Sequence, residues 1–261
     1  MVSGKWSRLV ATQRLYRSSH TVTVVGQQAY IFGGELVPRQ PVDNKFDVVS
    51  LSKQSAGRSY HCMTSDDASK VYVHAGCPES GRLSDLWVFD IEAKSWMELP
   101  SAPAAARGGS SITYTKGKLY RMNGFDGKTE IGGAIDVFDI ASQTWSTISY
   151  TPDGTQGPEP RSVAALLPVT AQGKTYLVTM FGERDPSALG HAGAGKMLCD
   201  AWAWDIEQSK WQKLDAQGEI PEPRGWFDAD VAREEDGDVV ILHGGINEGN
   251  KRLGDVWKLA F

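Results

Sequence analysis

A chain of 261 residues with 41 % hydrophobic and 23 % charged side chains can bury roughly 70 to 75 % of its unfolded surface, which excludes disordered, collagen-like and coiled-coil classes. With 27 basic against 32 acidic side chains the net charge is −5, so no overall basic field exists to grip nucleic acid or an anionic membrane. The longest apolar runs, such as Val239-Val240-Ile241-Leu242, fall far short of the ~20 residues of a membrane span, and Met1-Val2-Ser3-Gly4-Lys5-Trp6 has no apolar signal core. The expectation is a soluble, cytoplasmic protein that engages neither nucleic acid nor membrane. Cys62, Cys77 and Cys199 are odd in number and widely spaced, which argues against a disulfide framework or a zinc ribbon and for idle thiols.

The 28 glycines and nine tryptophans fall into a repeat. In chain order, a short β-rich run ending in small residues occurs at Tyr30–Gly34, Tyr72–Gly76, Tyr120–Gly124, Val178–Gly182 and Ile241–Gly245, and each reads as a buried strand stopped by glycine. Each run is preceded by an arginine followed by small or aromatic residues: Arg17, Arg58, Arg107, Arg161 and Arg224, at intervals of 41 to 63 residues. A second run with an aromatic near an acidic residue follows in Leu86–Asp90, Val137–Asp139, Trp202–Asp205 and Val256–Trp257. Tight turns then lead to Trp96, Trp145 and Trp211. The first repeat is short, because from Phe46–Leu51 the chain reaches Arg58 with no tryptophan strand between.

This pattern resembles the kelch repeat, in which four antiparallel strands form one propeller blade. The fold class expected is therefore all-β, a kelch β-propeller with five visible repeats, occupying residues 1–261 as one domain. Its blades run approximately over 17–57, 58–106, 107–160, 161–223 and 224–261 plus 1–12. The last copy stops one strand short at Phe261, and the segment around Trp6 has the form of the missing strand, so the N-terminal strand is expected to close the ring and remove an exposed sheet edge. Either the ring has five blades, one of them defective, or the chain lacks about one repeat of six-bladed relatives.

In such a fold the five arginines would gather over the channel mouth. Guanidinium forks there suit sulfate, phosphate or carboxylate; the alternative is that they pair with acidic neighbours and brace the blades. The most distinctive segment is the long insertion of residues 180–195, in which Glu183 and His191 stand eight residues apart, within a loop punctuated by Pro186, Gly190, Gly193 and Gly195. A carboxylate and an imidazole brought together would favour Fe²⁺ or Mn²⁺ over structural zinc; a solvated acidic loop is the alternative. His74 and His243, on the glycine strands, read as satisfied core imidazoles.

Phe32-Gly33-Gly34-Glu35, Arg107-Gly108-Gly109, Glu183 through Gly195 and Pro223-Arg224-Gly225-Trp226 together resemble the specifier proteins of glucosinolate breakdown, kelch proteins that bind non-haem Fe²⁺. The resemblance implies an iron triad of the form Glu-x3-Asp-x3-His. Glu183 and His191 match its outer positions, while the middle one is Ser187, leaving Asp185 or water as the third ligand. It also implies pocket roles for Glu35, Arg107, Arg224 and Trp226. The implied chemistry is a lyase or rearrangement step, in which Fe²⁺ takes the sulfur of a small sulfated substrate and arginines stabilise the departing sulfate. The rival reading is a non-catalytic kelch module that grips a protein partner on the same loop face.

Overall fold

The computed structural model describes residues 11–25, 28–37, 39–50, 57–188, 193–234 and 237–261. The chain divides into two compact units, residues 1–55 with 95–97, and the remainder. Both are built from antiparallel strands. Among the described residues the helical content is one 3-10 turn, Gln13–Leu15, and no helix is long and apolar enough to cross a membrane.

In the first unit Ser18–Val25 pairs with Gln28–Val37, which carries Phe46–Ser50 on its other edge and the short Gln40–Pro41 at its end. Arg14 and Arg17 both bind Asp47, tying the start of the sheet to its outer strand.

Among the described residues the second unit contains four larger sheets and a two-stranded one, Glu183–Arg184 with Lys196–Met197. Three have four strands: Cys62–Ser65, Lys70–His74, Leu86–Asp90 and Ser95–Leu99; Ser111–Thr115, Lys118–Met122, Ala134–Asp139 and Thr144–Ser149; Ala165–Ala171, Lys174–Met180, Ala201–Asp205 and Lys210–Lys213. The fourth has three, Asp228–Glu234, Gly237–His243 and Val256–Ala260. The Trp6 strand expected to complete it lies outside the described residues. The first strands of the four sheets neighbour one another in chain order, which is the arrangement of blades around an axis.

Burial explains why the second and third strands read as near-continuous apolar runs. In the two middle sheets they are covered on both faces by adjacent sheets. Leu119 to Met122 and Trp202 to Asp205 are buried without alternation, whereas Thr144–Ser149, at an outer edge, reaches no full burial. The core is accordingly a series of layers between sheets. Tyr72, Leu86 and Val88 meet Ile112, Leu119 and Phe138; Tyr120, Met122 and Ile135 meet Leu177, Trp202 and Trp204; Val178 and Met180 meet Val240 and Leu242.

Each glycine strand ends in two left-handed residues, such as Phe181 (φ 54°) and Gly182 (φ 101°). The second must be glycine on two counts: its φ, and the approach of Ser162, whose carbonyl oxygen would lie 2.7 Å from a Cβ at Gly182. The amide of Gly182 then donates to the Arg224 carbonyl at 2.9 Å, joining one sheet to the next.

Candidate functional site

The recurring arginines are placed by this turn. Arg17, Arg58, Arg107, Arg161 and Arg224 each donate from Nη1 to the carbonyl of the first left-handed residue, respectively Gly33, Ala75, Asn123, Phe181 and Gly244, at 2.9 to 3.1 Å. Three then fork onto an aspartate that precedes the third strand. Arg58 binds Asp85 at 2.7 and 2.8 Å, Arg161 binds Asp200 at 2.8 and 3.2 Å, and Arg224 binds Asp255 at 2.6 and 2.9 Å. The same carboxylates accept the indoles of Trp87, Trp202 and Trp257 at 2.6 to 2.7 Å. Hydrogen bonds from Arg224 and Trp257 hold Asp255 well below the usual carboxylate range.

The third repeat departs from this plan. Ala134 stands where the others have Asp85, Asp200 and Asp255, and the acid has moved two places to Asp136. Asp136 pairs with the fully buried Arg121 at 2.8 Å, and Arg121 Nη1 also meets His74 Nε2 at 3.2 Å. Arg107 is left with the carbonyls of Asn123 and Ala105, and among the described residues no carboxylate lies within ion-pair distance of it. Burial, followed by repulsion from Arg121, lowers Arg107 to about 10.

Two residues after each arginine of the second unit stands another left-handed position: Tyr60 (φ 54°), Gly109 (φ 61°), Val163 (φ 47°) and Trp226 (φ 53°). Their backbones form a chain of hydrogen bonds, Gly109 to Tyr60 at 2.8 Å, Val163 to Gly109 at 2.8 Å and Trp226 to Val163 at 3.3 Å. A β-branched residue and two aromatics held at positive φ mark a strained collar. The same four residues line two cavities. On one side is a channel of about 430 Å³ between the first strands, reaching Cys62, Ser110 and Leu167. On the other is a cavity of about 440 Å³ walled by Tyr60, Phe125 and Trp226, with Arg82, Lys128 and Glu183 supplying charge. A concave, aromatic-walled space with a few convergent polar groups has the form of a small-molecule site.

A family model described as the KLHDC2/KLHL20/DRC7 Kelch-repeats domain matches residues 50–182, just over half the chain. The chain belongs to the kelch-repeat family. The kelch chain is also similar to the N-(sulfonatooxy)prop-2-enimidothioate sulfolyase of Thlaspi arvense, 26 % identical across 92 % of this chain and 76 % of that protein. Adagio protein 3 of Arabidopsis thaliana is 26 % identical across 88 % of the chain, which spans 39 % of that protein. The flagellar outer arm dynein alpha chain of Chlamydomonas reinhardtii is 25 % identical across 75 % of the chain, which spans 5 % of its length.

Within the kelch chain the residues singled out from sequence have distinct fates. Glu183 and Trp226 share the larger cavity, and Gly108, next to Arg107, lines it. Glu183 is buried; its Oε1 accepts the Gly195 amide, and desolvation pushes its carboxyl upward. Asp185 is exposed beside Arg184, at 3.7 Å. His191 lies outside the described residues, among which no three histidine, cysteine, aspartate or glutamate side chains come together as a metal site. Glu35 belongs to the first unit, where its Oε2 accepts the Arg39 amide at 2.7 Å and shapes its own hairpin. Arg224 is fully buried and committed to Asp255 and the Gly244 carbonyl, so it acts as a brace.

The two strand histidines differ. His74 is buried between the Asp85 carbonyl at 2.7 Å and Arg121, and burial, with Arg121 adding to it, lowers it to about 3, a neutral core imidazole. His243 is exposed instead of sitting in the core. Burial raises the Cys62 thiol to about 11, which keeps it unreactive. Sequence reasoning missed Glu130, whose buried Oε1 has no hydrogen-bond partner among the described residues. Burial first, then the negative charges of Glu183 and Asp185, raise its carboxyl to about 7. Sequence reasoning held bracing as the alternative to anion binding but did not identify the acids that brace, although Asp-x-Trp occurs three times, at Asp85, Asp200 and Asp255.

Proposed function

We propose that this kelch chain takes a small anionic, sulfur-containing ligand in the cavity beside the collar and acts on it as a specifier-like protein. The observation that carries the reading is Glu183, a buried carboxylate on the wall of an aromatic-lined cavity. Support comes from likeness over 92 % of the chain to a protein whose name states a sulfonatooxy substrate. Tyr60, Phe125 and Trp226 would enclose the apolar part of the ligand and keep water from it. The uncompensated charge of Arg107 behind Gly108 would favour an anionic head over a neutral one.

Glu183 suits a divalent ion in the donor chemistry it offers, a hard oxygen already stripped of water. Asp185, facing solvent and Arg184, suits one less well. Fe²⁺ would be held by Glu183 and His191, with Asp185 or water as third ligand, and when bound would supply a Lewis acid for sulfur. Anaerobic loading followed by metal analysis tests this. At equilibrium with excess Fe²⁺, about one weakly held, labile iron per chain is expected in the wild type and almost none in Glu183→Gln or His191→Ala.

A second reading is a non-catalytic interaction module with a protein partner on the loop face. It is favoured by the braces, since four of the five recurring arginines are spent on carboxylates and offer no free charge. A wild-type chain that takes up no iron would favour it. For the architecture, the repeats suggest closure of the five into one propeller through residues 1–12. Deleting residues 1 to 10 should then cause aggregation, and a monodisperse, equally stable truncation would sink the closure.

A further inference from the structure

Arg82 belongs to none of the braces. It lies in the loop between Lys70–His74 and Leu86–Asp90, on the wall of the larger cavity. Arg17, Arg58, Arg121, Arg161 and Arg224 are all ion-paired, and Arg107 is sealed behind carbonyls. Among the described residues Arg82 has neither a carboxylate at ion-pair distance nor a hydrogen-bond partner for its buried Nε. Asp126, an acidic neighbour that feels the charge of Arg82, uses Oδ1 on the amides of Lys128 and Thr129 at 2.7 and 2.9 Å.

The guanidinium is nevertheless fixed in place. Its Cζ stands 5.2 Å from the centre of the Phe125 ring, within the range of a cation–π contact. Gly127 also lies close to the guanidinium: a Cβ there would stand 2.6 Å from Nη1 and 3.2 Å from Cζ, and the guanidinium would have to shift. A planar fork held against an aromatic ring and beside a glycine, with its donors unspent and a second cation at Lys128, is preorganised for an oxyanion.

We infer that Arg82 is the anion receptor of this cavity, binding the sulfate or sulfonate head of a small ligand whose apolar part lies against Phe125, Tyr60 and Trp226. The inference rests on the reading that the cavity takes a small anionic ligand, and it assigns the contact to a residue outside the recurring pattern.

Titration calorimetry with phenyl sulfate and with phenol at low ionic strength tests both levels. The wild type is expected to bind phenyl sulfate more tightly than phenol. Arg82→Ala should weaken phenyl sulfate by about tenfold or more and leave phenol unchanged, because a charge-assisted fork is lost and the apolar walls remain. Arg82→Lys, which keeps the charge and most of the packing, should lose several-fold; it serves as the deciding variant if Arg82→Ala fails to fold by circular dichroism. A folded Arg82→Ala, or an Arg82→Lys, that binds phenyl sulfate as tightly as the wild type overturns the assignment and leaves the cavity reading standing. A wild type with no preference for phenyl sulfate over phenol overturns both.

Discussion

Arg107 donates to the carbonyl oxygen of Asn123 at 3.0 Å and stops there, while Arg161 makes the equivalent bond to Phe181 at 3.1 Å and goes on to fork onto Asp200. The difference traces to two positions. Ala134 replaces the aspartate, and Asp136 replaces the tryptophan that would share it, so the third repeat spends its carboxylate on Arg121 inside the sheet. One repeat thus keeps its recurring arginine charged, buried and unneutralised beside the cavity. A buried cation without a counter-charge costs stability, so its presence there marks a position where charge is tolerated for another reason.

The Arg161 brace should be strong because its cation is dry. Arg161 is fully buried and Asp200 partly so. Asp200→Asn should lower stability by about 3 kcal/mol, since it strands a desolvated guanidinium. The sign with pH follows from the direction of the shift. Desolvation, the largest single influence, would raise Asp200, but the hydrogen bonds from Arg161 and Trp202 and the charge of Arg161 together outweigh it, and the folded carboxyl lies below its usual range. Its contribution is therefore present above the unfolded value of about 4 and is lost as pH falls through the lower folded value. Melting temperatures of wild type and Asp200→Asn should differ at pH 7 and converge in acid; a constant gap down to pH 2 would exclude the electrostatic account.

Ala134→Asp should do the reverse. Register places it correctly: Ile135, the next residue, lies opposite Met122, just as Leu86, next to Asp85, lies opposite His74. The new carboxylate would meet Arg107 as Asp85 meets Arg58, and a gain of about 1 kcal/mol corresponds to about 2 to 4 °C in melting temperature at this chain length. The same change should weaken binding of phenyl sulfate, because it cancels the charge of Arg107. Stabilisation with unaltered affinity would show that Arg107 contributes nothing to the cavity's field.

The repeat, the five glycine strands and the five arginines were legible because each rests on a local requirement, a buried run or a left-handed turn, that recurs with the period of the fold. The acids that brace were not. Asp90, Asp139 and Asp205, which stand out beside aromatics in the sequence, cap turns by accepting the amides of Ala93, Ser142 and Glu207. The acids that bind the arginines stand two places before a tryptophan and some 30 residues from their partners, so the partnership exists only in the folded chain. Arg82 could not be found from sequence at all. Nothing repeats it, and its defining property is the lack of a partner among the described residues.

The iron reading makes a prediction at Ser187, which lines the cavity where the specifier pattern has an aspartate. Ser187→Asp adds a third oxygen donor to Glu183 and His191, and three ligands retain a labile ion far better than two. Iron retained after desalting should rise from a small fraction of the chains to near one per chain. If Ser187→Asp retains iron and the wild type takes up none, the loop carries the scaffold of a site without its function.

Gly127 offers the most demanding test of how Arg82 is held. Gly127→Ala has two effects, strain at φ 106° and a collision with the guanidinium, and these must be separated. Gly117 provides the separation, because at φ 75° it bears a comparable backbone penalty with nothing within 4 Å of a Cβ, and it does not adjoin Arg82 in the chain. Both alanine variants should lose about 1 to 2 kcal/mol of stability. Only Gly127→Ala should weaken phenyl sulfate, by several-fold, because only there is Arg82 pushed out of its plane over Phe125. The double variant Arg82→Ala with Gly127→Ala should bind no more weakly than Arg82→Ala alone, since a displaced group cannot be lost twice. Additive losses in that cycle would mean that Gly127 acts on the ligand directly and that the glycine does not position the guanidinium.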